Sequence, residues 1–446
     1  MSRDLLRAWE VTLRRRGSQT AVTQAGDRRS CTFRELDARA AAWLAAQSPS
    51  AGFSGRPAVF SAPNGIEWFV IFIGLLRAGA TLVPLDAAEP PEAQRRIADA
   101  LRAGFLWDGT RLVPLARPRR RRRPVCLIKL TSGTRGKPRP LAFTGAQLLA
   151  DARQVTATMG IRPNDLNYAL IPLGHSYGLG SLVIPLMAKG VAVVCGEAPL
   201  PHAIEEDFRR WNPSVFPCVP AVWRPLAAAD VDPGSFRSLR LAISAGAPLA
   251  PEVARGFAAR FGLHLHNFYG SSETGGISFD RSGGATLAGG VGRALRGVRI
   301  ARLRGERIRV CSAAVFTRAN PSIRGGCGCW IPPDRVTVDA RGELRLAGRR
   351  GSTVKIAGRR VSLSEVEICL RRLEGVREAW VQVGPGPNAV LGAALAADRP
   401  AAELRAALVP TTPAWKIPKR WVVLPALPLT ARGKVDTRAL YARLFA

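Results

Sequence analysis

The stretch LIKLTSGTRGKPRP, residues 127–140, decides how this chain is read. An apolar run over residues 125–130 reads as a buried strand, and it breaks into Thr, Ser, Gly, Thr, Arg, Gly and Lys. Small and cationic residues after a strand are the makings of a phosphate cradle. A Walker-type loop is a different pattern, with Gly, four residues, then Gly-Lys and a hydroxyl residue that goes to magnesium. Here Thr131 stands in the place of the first glycine, and Pro138 replaces the hydroxyl residue and offers no N–H to a helix-start anion site. What remains is a hydroxyl-rich turn able to wrap phosphoryl oxygens with its backbone, Thr131, Ser132, Thr134 and Lys137. In isolation, a glycine-rich surface turn would look the same.

A chain of 446 residues has room for two or three domains with sizeable cores, and 47% hydrophobic residues suit a globular protein rather than a disordered one. The longest apolar run, WFVIFIGLL at residues 68–76, is too short to span a bilayer, and the first ten residues lack an apolar signal core. Eight cysteines are scattered without zinc or redox spacing, so a reduced cytoplasmic setting is expected. The net charge of +32 comes almost wholly from arginine, since only seven lysines are present. Its single dense run, RPRRRRRP at residues 117–124, reads as solvated linker, and no nucleic-acid partner is expected. Lysine is the scarcer signal: Lys137, Lys355 and Lys434 all fall in glycine-rich segments.

Along residues 1–300 strand-like and helical pieces alternate, which predicts an α/β fold of parallel-type sheets covered by helices. In LRLAISAG a strand ends on Gly246, and Leu249, Val253, Phe257 and Phe261 then recur every fourth residue as a helical stripe. LHLHNFYG returns as a strand. Ligands of such sheets bind at loops leaving the strands' carboxyl ends, here 131–137, 244–247 and 269–274. Beyond about residue 300 the pieces are shorter, and a smaller α+β domain is expected. In it a helix starts near Leu363 with Ser364 and Glu367 as a capping-box-like pair, and EAWVQVG and AVLGAALAAD pair as strands.

Four segments then stand in order: LTSGTRGKPR (130–139), NFYGSSETG (267–275), GELRLAGRRGSTVKIAGRRVSLSEVE (342–367) and LPLTARGKVD (427–436). With RAGATLVPLD (77–86) and PLGHSYGLGS (172–181), the set closely resembles the adenylate-forming superfamily of acyl- and aryl-CoA synthetases, nonribosomal adenylation domains and luciferases. The resemblance implies a large N-terminal domain, residues 1–348, and a small mobile C-terminal lid, residues 349–446. It implies ATP and Mg2+, and a thiol acceptor that is CoA or a phosphopantetheinyl carrier protein.

It also implies roles. Thr131, Ser132, Gly133, Thr134, Gly136 and Lys137 would hold the β- and γ-phosphates. Tyr269 would stack near adenine, with Asn267 and Gly246 beside it and Gly270 next in the strand. Ser272 would donate to the α-phosphate and Glu273 would ligate magnesium. Asp334, assisted by Arg349, would accept from the ribose hydroxyls. Lys434 would bridge the carboxylate and the α-phosphate. His175, Val219, Gly246 and Gly270 would line the acid, and Gly351 would be the interdomain hinge. The chain departs from the family at Arg135, Pro140 and Pro333, and is shorter than typical members before the phosphate loop.

Domains that select α-amino acids place an Asp near the position of His175, and LGHSYGLG offers none, which points to a fatty or aryl acid. The reading is an AMP-forming acyl- or aryl-CoA synthetase acting on small molecules. A ligase that loads an acyl carrier protein shares its chemistry. A catalytically silent basic protein that binds nucleic acid or membrane is the alternative of another class.

Overall fold

The computed structural model describes residues 3–47, 52–116, 125–131, 139–316, 328–349, 353–356, 359–385, 390–412, 416–430 and 434–445. The strand read from the opening stretch runs Val125–Thr131 and is buried through its middle. The next described element is a second strand, Arg139–Thr144, antiparallel to the first with Thr131 opposite Arg139. The hydroxyl-rich segment therefore connects two antiparallel strands. Leu141 and Phe143 point inward, a period-two pattern that Pro138 and Pro140 mask in the sequence. Pro140 is tolerated because this strand is the last in its sheet.

Among the described residues, that sheet has six strands, in the order Leu112–Pro114, Phe105–Trp107, Pro57–Ser61, Thr81–Leu85, Val125–Thr131 and Arg139–Thr144. Its middle pairings are parallel. A nine-stranded sheet has six parallel neighbours at its centre: Thr20–Gln24, Ala192–Cys195, Leu166–Ala169, Val215–Cys218, Leu241–Ser244 and Leu265–Ser271. Gly275–Phe279 then turns back antiparallel. The apolar run noted above forms the helix Ile66–Arg77, which packs against strands of both sheets. A helix covered on both sides needs apolar residues all round, as this one has. Gly145–Met159 begins at a capping box: the Thr144 hydroxyl accepts the Gln147 N–H at 3.2 Å, and the Gln147 side chain accepts the Thr144 N–H at 2.9 Å.

The chain divides into two compact units. The first comprises Met1–Ala301, Arg309–Ile331 and Val338–Arg345; the second comprises Arg302–Ile308, Pro332–Thr337 and Leu346–Ala446. In the second unit Val376–Val383 and Leu391–Ala397 pair antiparallel, and Arg420–Leu424 joins parallel. Helices Leu363–Arg371, Ala401–Leu408 and Thr437–Phe445 accompany them. The capping pair expected there is corrected. Ser364 lies inside the helix and is buried, while the Glu367 carboxylate accepts the Val381 N–H of the neighbouring strand at 3.0 Å. Burial raises the Glu367 pKa.

The cysteines differ from expectation in one place. Cys311 and Cys329 face each other across antiparallel strands and form a disulfide between residues 18 apart in sequence. Strand pairing brings them together, which no local spacing rule registers. The thiols of Cys126, Cys195 and Cys218 are pushed up to about 12 by burial, so they are inert packing groups. Among the described residues, no helix is long and apolar enough to cross a membrane.

Candidate active site

His175 is set by its backbone before its ring. The side-chain amide of Asn64 donates to the Ile171 carbonyl at 2.9 Å and accepts the Leu173 N–H at 3.0 Å. A Cβ at Gly174 would lie 2.7 Å from the Leu85 carbonyl oxygen, so glycine is what lets this loop press onto the end of Thr81–Leu85. The ring Nε2 then meets Asp86 Oδ2 at 2.7 Å. The other Asp86 oxygen accepts the Ala88 N–H at 2.9 Å. One residue on, the Ser176 hydroxyl donates to the Ser272 hydroxyl at 2.9 Å. The Tyr177 hydroxyl reaches the Ile243 carbonyl at 3.4 Å, and its ring centre lies 5.9 Å from that of Phe268.

Ser272 and Glu273 sit in the turn between Leu265–Ser271 and Gly275–Phe279. Its tightness depends on glycine: a Cβ at Gly270 would lie 2.6 Å from the Gly275 carbonyl oxygen, and Gly275 itself has φ +69°. Ser271 and Thr274 hydroxyls bond at 3.1 Å across the turn. The Glu273 carbonyl accepts the Phe316 N–H at 2.9 Å, which places this half-buried residue on a fixed stretch of chain. Phe316 and Trp330 also hold Arg139, whose guanidinium lies 5.7 and 5.4 Å from their ring centres. Thus the strand that returns from the hydroxyl-rich segment and the Glu273 turn share Phe316 as a neighbour.

Beneath the turn lie two buried residues of opposite charge, Lys129 and Asp151, that sequence reading does not single out. Lys129 is buried in the strand Val125–Thr131, its ammonium 4.5 Å from the centre of the Phe143 ring. Desolvation lowers its pKa, and the carboxylates of Asp151 and Glu273 oppose that shift. Asp151 is buried on the helix Gly145–Met159, where desolvation raises its pKa against the pull of Lys129. Its Oδ1 accepts the Gly276 N–H at 2.9 Å. Two glycines make room for it: a Cβ would fall 2.2 Å from this carboxylate at Gly275 and 3.0 Å from it at Gly180.

The remaining predicted residues divide three ways. Thr131 ends its strand, its hydroxyl donating to the Arg139 carbonyl at 3.4 Å. Gly246 has φ +86°, and Val219 Cγ1 lies 3.5 Å from where its Cβ would be, so those two are neighbours. Tyr269 is buried. Asn267 is buried too, and its side-chain N–H donates to the Gly290 carbonyl at 2.8 Å, a structural bond. Asp334, Arg349 and Lys434 belong to the second unit. Asp334 opens a strand, and the backbone of Arg349 ends another. The carbonyl of the exposed Lys434 accepts the Thr430 N–H at 2.7 Å. Ser132, Gly133, Thr134, Arg135, Gly136, Lys137, Gly351 and the arginine run 117–124 lie outside the described residues.

A family model for the AMP-binding enzymes matches residues 9–114 and 107–307. The chain belongs to the AMP-binding enzyme family. It is 30% identical over 348 residues to a benzoate–CoA ligase of Thauera aromatica, covering 70% of this chain and 64% of that protein. It is 28% identical over 349 residues to a 2-hydroxy-7-methoxy-5-methyl-1-naphthoate–CoA ligase of Streptomyces carzinostaticus, covering 71% and 62%. The matched region thus spans just under two thirds of each relative. In architecture the chain is similar to ATP-bound MatB from Rhodopseudomonas palustris, with a TM-score of 0.81, 20% identity and 98% of each chain covered. The mixed α/β fold is that of adenylate-forming enzymes.

Proposed function

We propose that this chain is an AMP-forming acid–thiol ligase that activates an aromatic carboxylic acid. A carboxylate is a poor acyl donor because oxide is a poor leaving group. In the first step a carboxylate oxygen attacks the α-phosphorus of ATP, the bond to pyrophosphate breaks, and an acyl-adenylate forms. In the second a thiolate attacks the acyl carbonyl and AMP departs, leaving a thioester. Both steps need donors and cations already in place where charge accumulates.

The observation that carries this reading is the 2.9 Å bond from Ser176 to Ser272. It sets the His175 loop, which we assign to the acid, beside the residue we assign to the α-phosphate. We assign Val219, Gly246, Gly270, Tyr177 and Phe268 to the lining of the acid site, an apolar and aromatic set in keeping with the benzoate and naphthoate named for the two relatives. A carboxylate does stand at His175, that of Asp86, but its oxygens serve the ring and Ala88 rather than an amino group on the acid. We assign Glu273 to magnesium. Its surroundings fit: its own carboxylate and the hydroxyl oxygens of Ser271, Ser272 and Thr274 beside it in the chain are hard donors. Bound there, magnesium would offset the charge gathering on the phosphates. Asp334 and Arg349 are assigned to the ribose, Lys434 to the carboxylate and α-phosphate, and Gly351 to the hinge between the domains proposed at 348/349. CoA is the thiol we favour, and the cytoplasm, where ATP and CoA are plentiful, is the proposed site of action.

ATP–pyrophosphate exchange across benzoic, cinnamic, naphthoic and fatty acids tests this. Exchange that depends on an aromatic acid is expected, with Lys434→Ala abolishing it while a supplied acyl-adenylate and CoA still yield thioester. Exchange with none of the acids would reject the reading, and thioester with a holo carrier protein but not with CoA would replace the acceptor.

A further inference from the structure

Asp86 ends the motif RAGATLVPLD, one residue past the strand Thr81–Leu85 of the six-stranded sheet. His175 follows the strand Leu166–Ala169 of the nine-stranded sheet. Their 2.7 Å bond therefore joins the ends of two sheets. The joint is fixed on both sides. Asp86 is buried, its carbonyl accepts the Ser61 hydroxyl at 3.1 Å, and its Oδ1 accepts the Ala88 N–H at 2.9 Å. The histidine's loop is clamped by Asn64 and pressed onto Leu85 at Gly174. A carboxylate oxygen only accepts, so Nε2 carries the proton and donates. Nδ1 is then the ring nitrogen left for the site.

We propose that Asp86 is a positioning residue for acid activation: it fixes the orientation and tautomer of His175 and does not itself touch the acid or the nucleotide. This rests on the assignment of His175 to the acid. Asparagine at this position is the informative change, because it keeps the volume but offers one acceptor to two donors. With its oxygen on the Ala88 N–H, its amino group faces Nε2 and turns the histidine into the other tautomer.

The test measures acid-dependent pyrophosphate exchange for Asp86→Asn, His175→Ala and the double variant, with circular dichroism to establish folding. We expect Asp86→Asn to lower kcat/KM for the acid about ten- to a hundredfold, the range of a charge-assisted hydrogen bond, with KM for ATP changed less than about twofold. The double variant is expected to be no worse than His175→Ala alone, because Asp86 acts through the ring. The chain has only four histidines, so 15N-histidine labelling resolves them: the Nε2–H resonance lost in His175→Ala should also be lost or moved in Asp86→Asn. A folded Asp86→Asn protein with wild-type kcat/KM, losses that multiply in the double variant, or a His175 resonance indifferent to Asp86 would each overturn the proposal. Wild-type protein that exchanges pyrophosphate with no acid would instead remove the functional reading beneath it, whatever the histidine spectrum shows.

Discussion

Replacing Asp151 with alanine should unsettle the Glu273 turn from below. The substitution removes the acceptor of the Gly276 N–H, a bond of 2.9 Å, and withdraws a carboxylate from the buried Lys129 ammonium. A buried N–H left without its partner costs about 1–3 kcal/mol. Withdrawing one of two opposite buried charges adds to that cost, and the two losses overlap because one carboxylate causes both. We therefore expect Asp151→Ala to lose about 2–4 kcal/mol, equivalent to roughly 4–12 °C in the melting of the first unit. Lys129→Met should cost less, about 1–2 kcal/mol, because burial already favours the protonated form of Asp151, which can still accept from Gly276. Lys129→Met/Asp151→Asn should be milder than Asp151→Ala, since no buried charge is then stranded. Urea unfolding followed by tryptophan fluorescence gives the four stabilities. If Asp151→Ala stays within about 1 kcal/mol of wild type, Lys129 and Asp151 are not a coupled buried pair and the reasoning fails.

Asp165 gives a pH prediction. Burial raises its pKa, but Arg240 together with the Arg162 N–H at 2.7 Å and the Ser214 hydroxyl at 2.9 Å outweighs that, leaving the net shift downward. A depressed carboxylate contributes stability above its unfolded pKa of about 4 and loses it as pH falls through the folded value, so Asp165→Asn should flatten the acid limb of a stability–pH curve below about pH 4. An unchanged limb would contradict the pairing. Opening the Cys311–Cys329 bridge frees a loop that joins residues 18 apart, and should cost about 3 kcal/mol. A reductant, or Cys329→Ser, is expected to lower the melting temperature, and a reductant without effect on wild type would show that the bond is not formed.

How far the sequence discloses this protein depends on the range of the contacts. The parallel sheets are legible because runs such as LRLAISAG and LHLHNFYG are strands bounded by turn residues, and each lies where local pattern places it. The strand Arg139–Thr144 is not, because Pro138 and Pro140 read as breakers and only the sheet edge makes Pro140 harmless. His175, Ser272 and Glu273 stand out as members of short motifs. Their supports do not, since Asp86 is 89 residues from His175 and Asp151 is 125 residues from Gly276. Signals are nonetheless present. Asp86 closes a motif already in view, and Lys129 is one of seven lysines, placed in the middle of an apolar strand where a charge needs a partner. Glu367 reads as a cap because the helix pattern is local, whereas its partner Val381 is reached only when the strand folds back.

The central claim is that an acid's own oxygen becomes bonded to the α-phosphorus of ATP. Supplying the acid with both carboxyl oxygens as oxygen-18, in the presence of ATP, magnesium and CoA, tests this directly by mass spectrometry of the products. One heavy oxygen should leave in AMP while the thioester keeps the other. Label found in inorganic phosphate with ADP as the nucleotide product, or AMP free of label, would contradict the account.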